Sequence, residues 1–203
     1  MNVSSRIAVC LLITACCLQG KSLCVCRAQS LPASANNTSN DPNPIQLENQ
    51  HPGARDWQLT RVRVDSGGFR SPWIEGYCSR QSVKAGETID IFVSTNPVRQ
   101  FKVEFFRMGY YGGRGARLMK TVDSVPGKIQ PDPAIGEKNL HECNWSSSLQ
   151  LTIPDDWLSG VYLGRLTTEP EGVESYWPRD VIFIVPDDRP AHVLFHSSDI
   201  TWQ

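Results

Sequence analysis

The chain has 203 residues, enough for one sandwich-sized domain beside an export leader and too few for a second complete domain of ordinary size. Twenty lysines and arginines against 21 aspartates and glutamates leave a formal charge of -1, so there is no electrostatic footprint for nucleic acid or an anionic membrane. Fourteen prolines, fifteen glycines and six tryptophans, with apolar residues in short runs, suit a β-rich fold better than a helical one.

Residues 1–28 read as a signal peptide. Arg6 supplies a positive start, and Ile7 to Leu18 is an apolar run too short to span a bilayer. Export to the periplasm, the cell surface or the medium follows. Cleavage fits after Ala28 or after Ala35, and Ile13-Thr14-Ala15-Cys16 offers a lipoprotein box in which Cys16 would carry a membrane lipid anchor. Residues 29–56, rich in Asn, Pro, Ser and Gln with few large apolar groups, cannot offset the entropy of ordering and are expected to form a disordered linker.

From Trp57 the pattern changes to short runs separated by turn residues, the signal of strands. They are expected at Leu59–Val64, Thr88–Thr95, Phe101–Phe106, Ala116–Val122, Leu149–Ile153, Gly160–Thr167 and Asp180–Val185. Ile89, Ile91 and Val93 share one face of the second. This rhythm predicts a mainly β protein, an immunoglobulin-like β-sandwich over residues 57–186. Pro186-Asp187-Asp188-Arg189-Pro190 breaks it, and Ala191–His196 reads as the first strand of an α/β domain over residues 187–203.

Between two of the strands lies Gly109-Tyr110-Tyr111-Gly112-Gly113-Arg114-Gly115. Four glycines in seven positions suit a phosphate cradle or a tight turn. The Gly-Lys-Ser/Thr ending that serves phosphate and magnesium is missing, and a strand-like run follows where a nucleotide loop needs a helix. A hairpin that exposes Tyr110, Tyr111 and Arg114 is the expectation, as a surface for sugars or for a neighbouring domain. Past the leader only Cys78 and Cys143 remain. They are either a disulfide worth roughly 4 kcal/mol in the chain-entropy picture or two free thiols. The spacings His141/Cys143 and His192/His196 lack a third ligand nearby, and Asp155-Asp156 and Asp187-Asp188 follow prolines as turn carboxylates.

The order Glu75-Gly76-Tyr77-Cys78-Ser79, Val83-x-Ala85-Gly86-Glu87, Arg107-Met108-Gly109-Tyr110-Tyr111-Gly112-Gly113, Trp157-x-Ser159-Gly160-x-Tyr162 and Thr201-Trp202-Gln203 resembles the N,N-dimethylformamidase large (beta) subunit-like C-terminal region. The resemblance covers roughly residues 57–203 and only the N-terminal part of that region. It implies a β-sandwich leading into an α/β catalytic domain, and an amide hydrolase with iron held by tyrosine and glutamate side chains beyond the Thr-Trp-Gln block. No catalytic residue, cofactor-binding residue or metal ligand is carried onto this chain. The expectation is the sandwich portion of such a hydrolase, truncated and inactive as these 203 residues, with the catalytic domain or another subunit as partner. The alternative is a non-catalytic cell-surface module that binds carbohydrate or protein.

Overall fold

The computed structural model describes residues 43–59, 70–168 and 178–189, all within one compact unit, Asp41–Gln203. The signal peptide, Cys16, the linker up to residue 42, most of the Leu59–Val64 run and the Ala191–His196 strand lie outside the described residues.

Alternation of apolar and polar residues builds the strands. The sequence places Ile89, Ile91 and Val93 in β2 (Thr88–Asn96), Phe101, Val103 and Phe105 in β3 (Phe101–Met108), and Val181, Phe183 and Val185 in β9 (Arg179–Val185). Each of these triplets is buried, because residues two apart on a strand face the same side. The others are β1 (Trp73–Cys78), β4 (Ala116–Val125), β5 (Ala134–Ile135), β6 (His141–Glu142), β7 (Leu149–Thr152) and β8 (Gly160–Thr168), with one short helix, α1 (Pro44–Glu48). Six of the seven expected strands correspond to β2, β3, β4, β7, β8 and β9 within a few residues. β1 was not among them: Trp73-Ile74-Glu75-Gly76-Tyr77-Cys78 alternates, but Gly76 interrupts its apolar face.

Two antiparallel sheets, ordered β1-β2-β7 and β4-β3-β8-β9, enclose a core that includes Ile74, Ile91, Phe105, Leu151, Trp157, Tyr162 and Phe183. β5 and β6 form a separate two-stranded ribbon. The fold is the β-sandwich that the strand rhythm predicts. Two features give it immunoglobulin-like character. After β1 the chain crosses to the other sheet, where Ser82 bridges Ile184 in parallel and Val83 N donates to Ile184 O at 3.0 Å. Near the start of β8, the Tyr162 hydroxyl donates to Leu158 O at 2.7 Å, the corner bond that ties such a strand to the turn before it. Trp157 stacks flat on Tyr162 with centroids 4.8 Å apart, and Tyr162 stacks on Phe183 at 5.5 Å. Trp157 is therefore a packing residue, as its turn-and-strand context predicts.

The structure corrects the expected linker over residues 43–56. Asn43 caps α1 by accepting from Ile45 N at 2.9 Å, Pro44 occupies the first turn where its missing N–H costs nothing, and the segment continues to Trp57 along the end of the sandwich. A five-residue helix cannot stand alone. Packing on the glycine hairpin holds this segment, so composition gave no sign of it.

Candidate functional site

The glycine segment is a hairpin joining β3 to β4, as expected. Gly109 N donates to Gly115 O at 3.0 Å across its neck, and Gly113 N donates to Tyr110 O at 2.8 Å inside it. Two glycines are there for contact. A Cβ on Gly115 would lie 2.7 Å from the Trp57 indole at a φ of +89°, and one on Gly109 would lie 2.7 Å from the Tyr111 ring. The first approach seats the N-terminal segment on the hairpin.

The structure separates the two tyrosines. Tyr110 is 71% exposed and Tyr111 only 2%, so the expected pair of exposed aromatic rings is half wrong. At a φ of +41°, an uncommon conformation for tyrosine, the backbone turns the Tyr111 ring inward. Its hydroxyl accepts from Arg107 Nη1 at 2.9 Å and donates to Glu48 Oε1 at 2.9 Å. Arg117 Nη1 reaches both oxygens of Glu48, at 2.8 and 2.9 Å, and Arg107 Nη2 donates to Ser159 O at 2.7 Å. Asn49 Oδ1 accepts from the backbone N of Tyr110 and of Tyr111, at 2.7 and 3.2 Å. Ala54 N donates to Ala116 O at 2.8 Å, and Trp57 Nε1 donates to Arg114 O at 2.9 Å.

The cluster is a buried polar joint between three parts of the chain: residues 43–57, the hairpin, and the turn before β8. Burial pushes the Glu48 carboxyl up, but hydrogen bonds from Tyr111 and Arg117 and the charges of Arg117 and Arg107 outweigh it and hold the group below its ordinary value. Burial pushes the Tyr111 phenol up, and the Glu48 carboxylate adds to that while Arg107 opposes it. The buried, protonated hydroxyl of Tyr111 thus joins Arg107 to Glu48. Tyr111 and Glu48 are also of the residue types that the resemblance leads one to expect as iron ligands. Here they do not fit a metal, because Arg107 and Arg117 already occupy their oxygens and would repel a cation.

Of the expected binding surface, Tyr110 and Arg114 are exposed and Tyr111 is withdrawn. Glu48 and Asn49 belong to this joint, yet composition assigned them to a linker, while Trp57 stands where the sandwich was expected to begin. The one legible signal was Asn43-Pro44, an N-cap followed by proline.

The two cysteines are free thiols. Tyr77 donates to Cys143 O at 3.2 Å, which places Cys143 on the outward side of β1. Cys78, the next residue along the strand, points the other way and packs against the core. Burial pushes its thiol up to about 12, whereas Cys143 is exposed at the rim of a cleft of about 590 Å³ shared with Leu140, Glu142 and Asn144. His141 is exposed beside it; His192 and His196 lie outside the described residues. Asp188 pairs with Lys84 at 3.0 Å, and Asp187 accepts from Arg189 N at 2.7 Å.

Comparison with curated proteins finds no match. A family model does match, over residues 102–203, half of the chain, and it takes in the hairpin, Ser159 and the whole of β8 and β9. The chain belongs to the family of N,N-dimethylformamidase beta subunit-like, C-terminal regions.

Proposed function

We propose that this chain contributes the exported β-sandwich portion of an amide hydrolase, a mount for a catalytic domain, and that the sandwich itself performs no hydrolysis. Family membership over residues 102–203 carries the reading. The joint supports it: the Arg107 and Tyr111 side chains of the motif are engaged with one another and with Glu48, which is the work of a scaffold. In the complete form the reaction is cleavage of an amide C–N bond. The resemblance implies iron there, on tyrosine and glutamate ligands of the catalytic domain. Another subunit is the natural partner of a beta-subunit-like chain. The test is hydrolysis of formamide and N,N-dimethylformamide by the purified 203-residue chain with iron supplied. No turnover is expected, and turnover would overturn the reading.

Export rests on residues 1–28, and N-terminal sequencing of the secreted product separates cleavage after Ala28 or Ala35 from lipidation at Cys16. A carbohydrate- or protein-binding module is the second reading, and Tyr110, 71% exposed, favours it. With Tyr111 buried, a single ring and Arg114 remain as the platform. Glycan-array binding that survives Tyr110→Ala would count against the version in which this ring is the platform.

A further inference from the structure

The outward face of the four-stranded sheet carries a charged rung. Glu104 on β3 stands opposite Arg165 on β8, and Arg165 stands opposite Asp180 on β9, so the three side chains share one face. That face is turned from the core, because their neighbours Phe105, Leu166 and Val181 fill the core. Arg165 is nonetheless only 8% exposed. Its Nε and the Oδ1 of Asp180 are both shut from solvent without a hydrogen-bond partner. Opposite charges in register, one buried and the other half-buried with an oxygen shut from solvent, and not bonded to each other, are costly unless one of them is neutralised.

The other groups on this face identify which one. Lys102 lies two residues from Glu104 and pairs with it at 3.3 Å, so Glu104 already has a cation. Thr121, opposite Glu104 on β4, is uncharged. On its own strand Arg179 is directed to Ser71, whose hydroxyl it meets at 2.9 Å. Asp180 therefore faces Arg165 as its only charged neighbour among the described residues, and does not bond to it.

We propose that the Glu104–Arg165–Asp180 rung is a proton-operated switch: protonated Asp180 rests unpaired beside Arg165, and release of its proton to solvent draws the guanidinium into an ion pair. Burial is the first cause acting on this carboxyl and raises it to about 6, with Arg165 opposing. A folded carboxyl raised above its ordinary 3.8 keeps a proton that the unfolded chain gives up. The contribution to stability is thus present at acid pH and is lost as pH rises from about 4 to about 6.

Two measurements on the full chain decide it. The Asp180 carboxyl, followed by NMR from pH 3 to pH 9, should titrate with a midpoint near 6 and move higher in Arg165→Met; a midpoint below about 4.5 overturns the switch. The Tm of Asp180→Asn should gain on that of the unmodified chain by about 5 °C between pH 4 and pH 7, and parallel profiles overturn it as well. The titration is read on the unmodified chain, so it stands even if a variant fails to fold. Neither readout depends on hydrolysis.

Discussion

Adjacent tyrosines in the hairpin have unrelated roles, and the difference is one of backbone conformation. Tyr110 presents its ring to solvent, while Tyr111, at a positive φ, turns its own between Arg107 and Glu48. Tyr110→Ala should therefore change stability by less than about 0.5 kcal/mol, whereas Tyr111→Ala, which leaves a cavity and two orphaned partners, should cost about 3–5 kcal/mol; chemical denaturation measures both. Glu48 brings a pH dependence of opposite sign to that of Asp180. Its folded carboxyl is held below the ordinary 4.5, so its contribution is complete at neutral pH and is lost as pH falls through the lowered value. Acidification below about pH 4 should increase hydrogen exchange in residues 43–57 before β3 and β8 respond. Exchange that rises in all three together would show that Glu48 does not hold the segment.

At the scale of elements, strand alternation decides what the cysteines can do. A residue and its neighbour on β1 face opposite sides, so the strand cannot offer Tyr77 to the Cys143 loop and Cys78 to it as well. After removal of the leader, native chain should react quickly with a thiol reagent at Cys143 and slowly at Cys78, whose buried thiol is raised to about 12; unfolded chain should show two thiols without reduction. No thiol before reduction and two after it would restore the disulfide. Strands were the most legible part of the sequence, since a period of two is a local property that burial on one face imposes directly. β1 escaped because Gly76 stands on its core side, where Cβ would come within 2.7 Å of Phe92 O. The same close approach that lets β1 pack there removes the apolar residue that would have announced it.

At the scale of the whole molecule, the sandwich does not begin where its composition does. Residues 43–56 look like linker, yet they supply Glu48, Asn49 and Ala54 to the joint beside Trp57. A chain starting at Asp41 should be more stable than one starting at Gln58 by about 10 °C in Tm, since the shorter chain leaves Arg107, Tyr111 and Arg117 without their carboxylate; equal Tm values would return the segment to the status of a linker. The sequence by itself determined the sandwich, its principal strands, the hairpin and the family, because alternation, turn residues and motif order are written in consecutive residues. Only the tertiary structure decided that Tyr111 is buried, that the cysteines are apart, that residues 43–57 are folded and that Asp180 stands beside Arg165. Each of these depends on which distant segment meets a side chain, and burial, pairing and a raised or lowered carboxyl exist only once those segments have met.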